Sequence, residues 1–442
     1  MKISVVGTGY VGLVSGVCLA AKGHDVTCID VDQAKVDMIN RGHPPIYEEG
    51  LEDLLKNLVG KNLRADTNLQ KAVLDTDLSL IAVGTPFKGD EIDLQYIQQV
   101  SRDIGAAIKN KDAYHVVVVK STVVPGTTDR VVLPLLEESS GKKAGIDFGV
   151  GMNPEFLREG VAVNDFMEPD RIVLGGIDQP TLAVMDQLYT VFDGVDILHT
   201  NPRTAEMIKY TANSLLATMI SFSNEIGNLS AKVGDIDVAE VMKGVHLDKR
   251  LSPIREDGER ITPSFTTYIE AGCGFGGSCF PKDVKALIAH GKKFGQAMSL
   301  LDSVIEVNED QPNRMIELLN KHFPDLNGVT VAVLGLAFKP GTDDIRESPA
   351  IPIISRLLEA GATVQAFDPI AEKEMKHLYS EEQVCYCQEI DHAIRGAQAV
   401  LLVTRWPEFA ALPNMLDKDV LLVDGRRMLP KDSIARYEGI GL

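Results

Sequence analysis

Gly7, Gly9 and Gly12 form a G-x-G-x-x-G turn directly after the apolar run Lys2 to Val6, at the head of a second apolar run that reaches Lys22 and Gly23. The first run reads as a strand and the second as a helix of about four turns. Asp25 to Ile29 then reads as another strand, ending at Asp30. Strand, helix and strand within about 30 residues make a βαβ unit. No other feature restricts the fold as much, because parallel strands need a covering crossover. In this setting Gly7 permits the tight turn, Gly9 lets backbone approach a pyrophosphate, and Gly12 lets helix pack on strand. The helix N-terminus attracts phosphate charge, and Tyr10 and Val11 open that helix. Asp30, 18 residues beyond Gly12, is placed to bond ribose hydroxyls. A carboxylate there repels a 2′-phosphate, so the turn reads as a site for NAD rather than NADP. A glycine turn that binds nothing is the plainer reading of an isolated motif, and the full βαβ context weighs against it.

The 442 residues allow about three domains at roughly 150 residues each. With 44 basic and 63 acidic residues the formal charge is −19. Such a chain repels nucleic acid and anionic membranes, so an anionic ligand must be met by a local cluster of Lys and Arg. The six cysteines show no disulfide spacing, which points to a reducing, cytoplasmic setting. The nine histidines show no metal-ligand spacing, and no metal is expected. No apolar stretch is long enough to span a membrane. The segment from Lys2 to Ala21 has the outline of a secretory signal, but motif-spaced glycines interrupt it and it runs straight into another strand.

Further buried-strand runs are Leu78 to Val83, His115 to Lys120, Phe148 to Met152 and, as the last, Arg171 to Gly175. The texture changes near Thr200. Ala205 to Val233 has helical apolar periodicity over about 40 Å, long enough to bridge domains. A second helical pattern, Ile236 to Val245, precedes a charged loop, Asp248 to Ser264. From Thr330 the α/β pattern restarts, with strands in VTVAVLGLAF and ATVQAFDP around a helix at Ser348 to Ala360. Ala399 to Val403 and Asp419 to Val423 add two more strands. The expected fold is α/β: two Rossmann-like, doubly wound parallel-sheet domains, 1–199 and 312–442, joined by a helical central domain, 200–311, with a long bridging helix.

The second chemical constellation is GFGGSCFPKD at 274–283. A glycine-rich loop delivers Cys279 just before a helix that Pro281 can open without cost. Helix dipole and Lys282 together favour the thiolate, which suits a nucleophile. A cysteine taken at random would more often be a small buried hydrophobe, the reading kept for Cys273.

Six motifs in order resemble the UDP-glucose/GDP-mannose dehydrogenase family: GTGYVGLVSG at 7–16, KSTVVPGTT at 120–128, NPEFLREG at 153–160, EMIKYTANS at 206–214, GFGGSCFPKD at 274–283 and GLAFKPGTDDIRESPA at 335–350. The resemblance covers essentially the whole chain and leans toward bacterial members that act on UDP-glucose. It implies oxidation of the sugar C6 alcohol to a carboxylate, with two NAD reduced and Cys279 carrying a thiohemiacetal and then a thioester. By motif, Lys209 and Asn213 match the oxyanion-stabilising pair. Thr122 and Asp283 match the holders of a catalytic water, and Glu155 the base for thioester hydrolysis. Lys35, Thr85, Thr122, Glu159, Lys282 and Arg346 match cofactor contacts, beside the glycine turn and Asp30. Glu155, Phe156, Leu157, Arg158, Glu159, Lys209, Asn213, Tyr268, Gly272, Gly276 and Lys339 match substrate contacts, and Arg250 an arginine that reaches the sugar from a neighbouring subunit.

The family assembles through its central domain, so a homodimer at least is expected, with a UDP-sugar as substrate and neither nucleic acid nor membrane as partner. The 28 residues between Arg250 and Cys279 exceed the usual length, which places an insertion near 254–262. Ser278 stands where members acting on N-acetylated UDP-hexosamines tend to carry a histidine. The same chemistry on GDP-mannose or another nucleotide sugar, a two-electron hydroxyacid dehydrogenase needing no cysteine, and a non-catalytic nucleotide-binding regulator remain as alternatives.

Overall fold

The computed structural model describes residues 1–89 and 91–442. The chain divides into two compact units, Met1–Ala212 and Asn213–Leu442. The first unit holds β1 (Lys2–Val6), β2 (Asp25–Ile29), β3 (Leu63–Asp66), β4 (Leu78–Ile81), a small hairpin β5 (Phe87–Lys88) and β6 (Glu91–Ile92), then β7 (His115–Val119), β8 (Phe148–Met152), β9 (Ile172–Gly176) and β10 (Ile197–Thr200). Eight of these make one sheet in the order β10-β9-β8-β7-β4-β1-β2-β3. The order reverses beside β1, and the crevice at that switch point, beyond the strand C-termini, is where such sheets take ligands.

The second unit holds β11 (Thr330–Leu334), β12 (Thr363–Phe367), β13 (Val384–Tyr386), β14 (Ala399–Leu402), β15 (Leu421–Asp424) and β16 (Tyr437–Gly439). They form a six-stranded parallel sheet, β13-β12-β11-β14-β15-β16, again with β11 at the reversal. Central strands such as HVVVV and AVLL are buried along their whole length, which is why they read as unbroken apolar runs.

Besides strands β3, β13 and β16, which the sequence reading does not include, three features depart from it. The strand at 172–176 is not the last of its sheet, since β10 pairs beside it. It also runs antiparallel to β8, so the first sheet is parallel except at that pairing. The link between them contains only the helix Ala162–Met167, which at six residues is about 9 Å long and too short to carry the chain back along the sheet. Third, the helix Ser299–Asn320 has no counterpart in the reading, and Pro312 lies inside it.

The long helix spans Pro202–Val233 and crosses the division between the units. No helix among the described residues is long and apolar enough to cross a membrane.

Candidate active site

The first unit builds its site from the glycine turn. Gly7 has φ +99°, and a Cβ there would lie 2.7 Å from the Ala82 carbonyl oxygen. A Cβ on Gly12 would lie 1.9 Å from the Gly7 oxygen, so the helix can approach the strand this closely only with glycine. Gly9 is different: nothing lies within 4 Å of its would-be Cβ. That open space faces the first turn of the helix Tyr10–Ala21, whose N-cap supplies no side-chain partner for the leading N–H groups. Open space beside uncapped N–H donors is what a pyrophosphate needs.

Asp30 Oδ2 accepts from the Thr8 N–H at 3.0 Å and the Thr8 hydroxyl at 2.5 Å, and its Oδ1 accepts from Asp32 N–H at 3.0 Å. Partial burial pushes its pKa up, but these bonds and the nearby Lys35 charge outweigh it and hold the carboxyl ionised. The residues therefore fit NAD: Gly9 and the helix N-terminus would hold the pyrophosphate, Gly7 and Gly12 allow the close packing that places them, and Asp30 would hold the ribose. The Tyr10 hydroxyl donates to buried Glu48, which also accepts Gly160 N–H and Ala162 N–H, each at 2.7 Å. Sequence reasoning missed Glu48, which ties the glycine turn to the NPEFLREG loop.

Past the C-terminal ends of β7 and β8 lies a buried charged cluster. Lys209 Nζ sits 2.9 Å from Glu155 Oε1, with both side chains about 5% exposed or less. Glu155 Oε2 accepts Leu157 N–H at 2.7 Å. Burial favours the neutral acid, but Lys209, that N–H and Lys120 together hold Glu155 below the usual carboxylate range. Phe156 has the Arg171 guanidinium 3.9 Å from its ring centroid and the Lys209 ammonium at 5.7 Å. Thr85 donates to the Thr122 carbonyl at 2.8 Å, so these two expected cofactor residues are brought together. Arg158 is more than half exposed and pairs with Asp165 at 2.6 Å, while Glu159 is half-buried.

Two more residues escaped the sequence reading. Lys120, just past β7, is buried and donates to Asn153 Oδ1 at 2.8 Å. Glu206, buried one turn before Lys209, accepts Gly126 N–H at 2.6 Å and Thr128 N–H at 2.8 Å. Its pKa is pushed up to about 7 by burial, so it is a carboxylate poised to take a proton. A lysine closing a run of four valines was the one signal available for Lys120, since strand C-termini border the ligand crevice.

In the second unit Cys279 is the N-cap of the helix Phe280–Lys293, with Pro281 in the first turn. Its carbonyl accepts Asp283 N–H at 2.8 Å, and its Sγ lies 3.5 Å from the Ser278 hydroxyl. Asp283 is buried between two donors: Asn213 Nδ2 at 2.7 Å and Lys282 Nζ at 2.6 Å. Four expected site residues thus stand on one connected network.

The glycine loop packs against the FKPGTDDIRE segment. A Cβ on Gly276 would lie 2.2 Å from the Glu347 carbonyl oxygen, and one on Gly277, at φ +86°, would meet the Phe338 ring at 2.7 Å. Gly272 N–H donates to Asn224 Oδ1 at 2.7 Å. The Tyr268 ring centre lies 6.2 Å from that of Phe280, the rings tilted by 47°. Lys339 Nζ lies 5.7 Å from the Phe338 ring, and Arg346 pairs with Asp344 at 2.7 Å. Arg250 is 89% exposed and pairs with Asp248. The expected insertion is a small exposed turn in which Ile254 bridges Arg260, and Arg260 bonds the carbonyls of Leu247 and Ser252 at 2.9 and 2.8 Å.

Comparison with known proteins agrees from end to end. Residues 1–193 match the NAD binding domain of the UDP-glucose/GDP-mannose dehydrogenase family, 203–310 its central domain and 332–431 its UDP binding domain. The chain is 41% identical to the UDP-glucose 6-dehydrogenase AglM of Haloferax volcanii, with all of both chains covered. It is 39% identical to the GDP-mannose 6-dehydrogenase of Pseudomonas aeruginosa over the same full extent. Among solved structures, a UDP-glucose dehydrogenase from Pyrobaculum islandicum superposes with a TM-score of 0.90 at 39% identity, covering 99% of this chain and 97% of that one. The glycine turn, the ionised Asp30 and the matched domains lead to one conclusion: the chain belongs to the UDP-glucose/GDP-mannose dehydrogenase family and is a nucleotide-sugar dehydrogenase with an NAD-binding domain.

Proposed function

We propose that the protein oxidises the C6 alcohol of UDP-glucose to the carboxylate of UDP-glucuronate, with Cys279 carrying the intermediates. Bound NAD supplies the hydride acceptor for each of the two oxidations. In the first, the alcohol proton passes to water in a relay assigned to Thr122 and Asp283. The Cys279 thiolate then adds to the aldehyde carbon, the carbonyl oxygen becomes an oxyanion, and protonation gives the thiohemiacetal. Covalent capture keeps the aldehyde from leaving. Loss of the hydroxyl proton and the second hydride leaves a thioester. Glu155 takes one proton from water, which attacks the thioester and expels the thiolate; the carboxylic acid so formed loses its remaining proton to solvent. Lys209 and Asn213 serve where oxyanion charge develops.

The observation that carries this reading is the position of Cys279: at a helix N-terminus, one turn before an Asp283 held between Asn213 and Lys282. The UDP binding domain match supports a uridine nucleotide. The equal similarity to GDP-mannose dehydrogenases favours GDP-mannose as the second reading.

Acid quenching during turnover with UDP-glucose, followed by peptide mass spectrometry, tests the cysteine step. The peptide containing Cys279 should carry the mass of the acylated sugar nucleotide, and Cys279→Ala should carry none. Full turnover by Cys279→Ala would overturn the covalent route.

A further inference from the structure

We propose that Lys120 is a positioning residue for Glu155: a second buried ammonium that keeps this carboxylate ionised while Lys209 directs its charge at the substrate. The proposal rests on the roles given above to Glu155 and Lys209.

Lys120 follows β7 directly and is 3% exposed. Its ammonium donates to the neutral amide oxygen of Asn153 at 2.8 Å. That amide is fixed in turn: its nitrogen donates to the Val173 carbonyl at 2.9 Å, and the Tyr189 hydroxyl donates to the same oxygen. A neutral amide orients an ammonium but does not balance its charge. The opposite charge that Lys120 feels is Glu155, and the like charge is Lys209. Burial lowers the Lys120 pKa to about 8, which still leaves it charged at neutral pH.

Glu155 has the same problem in reverse. It is 6% exposed, and burial by itself drives a carboxylate to protonate. The groups facing it are Lys209 from the long helix, Lys120 from the end of β7, and Leu157 N–H from its own loop. When an oxyanion forms beside Lys209, that ammonium divides its charge between two anions. With one cation, a buried Glu155 would then take up a proton and cease to be a base. A second cation that does not turn to substrate removes that failure. Lys120, locked onto Asn153, meets this requirement.

The test is the pH dependence of kcat in the NAD-saturated enzyme, measured for the wild type, Glu155→Gln, Lys120→Met and Lys120→Arg. Glu155→Gln should abolish the acid limb; an unchanged limb would remove Glu155 as the base and the proposal with it. With the Glu155 reading intact, Lys120→Met should move the acid limb up by about one pH unit or more, the usual effect of losing a neighbouring opposite charge. KM for the sugar nucleotide should stay within about twofold, because uniform binding is untouched. Lys120→Arg should restore the limb. A Lys120→Met limb at the wild-type pH, whatever its kcat, would overturn the proposal. Should Lys120→Met not fold, carboxylate NMR of the wild type and Lys120→Gln decides. The glutamate resonance missing from Glu155→Gln should stay ionised to lower pH in the wild type than in Lys120→Gln, which can still bond Asn153, and the same midpoint in both would overturn the proposal.

Discussion

Glu206 illustrates at the residue scale how one buried side chain governs a loop. Its two carboxylate oxygens receive the N–H groups of Gly126 and Thr128, which fixes the turn that follows Thr122. Burial raises its pKa to about 7, above the unfolded value of about 4.3. Between those two values the native state binds more protons than the unfolded chain, so this group's contribution to stability falls as pH rises. Urea unfolding at pH 5, 6, 7 and 8 should therefore show the stability of the wild type relative to Glu206→Gln declining with pH. A constant difference would mean the carboxyl is already ionised at pH 5. Cys279, Asp30 and Lys209 were legible in the sequence because each sits at a fixed offset from a glycine turn or within a distinctive motif. Glu48, Lys120 and Glu206 were not. Lys120 and Glu206 open two of the quoted motifs and Lys120 closes an apolar run, yet their bonded partners, like those of Glu48, lie more than 30 residues away, and no local pattern encodes that pairing.

The proposed ligand chemistry rests on two elements, and both depend on backbone proximity that only glycine allows. In the βαβ unit, Asp30 is ionised and partly satisfied by Thr8, leaving acceptor capacity for a ribose diol. Asp30→Ser should weaken NAD by about tenfold or more, as hydrogen bonds to a charged group are worth about 1.5–3 kcal/mol. It should also narrow the preference over NADP, since a repelling charge is gone. Initial rates with both cofactors check this, and an unchanged NAD to NADP ratio would contradict the assignment. In the loop before Cys279, a methyl group on Gly276 has to displace the Glu347 carbonyl. Gly276→Ala should cost about 1–3 kcal/mol in chemical denaturation, the usual cost of overpacking. A neutral result would show that the FKPGTDDIRE segment yields freely. Fully buried strands were legible as apolar runs, whereas β3, β10, β13 and β16 are short or partly exposed and left no such trace. The antiparallel direction of β9 was unreadable for another reason: an apolar run does not encode its own polarity.

For the whole molecule, the acidic surface and the anionic ligands pull against each other. A formal charge of −19 disfavours nucleotides at long range, so the proposed function assigns recognition to local cations such as Lys209, Lys339 and Arg346. The long helix adds an exposed apolar stripe, Leu215, Phe222 and Leu229, each more than half exposed and spaced by seven residues. A second copy of the chain is the expected cover. Sedimentation equilibrium should give the mass of at least two chains, and Phe222→Asp should shift it toward one; a single-chain wild type would contradict the expectation. The end-to-end organisation was legible because βαβ texture, then helical texture, then βαβ texture follow one another along the sequence. Which nucleotide sugar enters was not, because recognition of a sugar rests on a few contacts that periodicity does not record. The most direct test of the central claim is the NADH formed per mole of limiting sugar nucleotide, with UDP-glucose, GDP-mannose and UDP-N-acetylhexosamines assayed in parallel. Two NADH per UDP-glucose and little from the others are expected. One NADH per sugar, or none from any of them, would contradict a four-electron oxidation through Cys279.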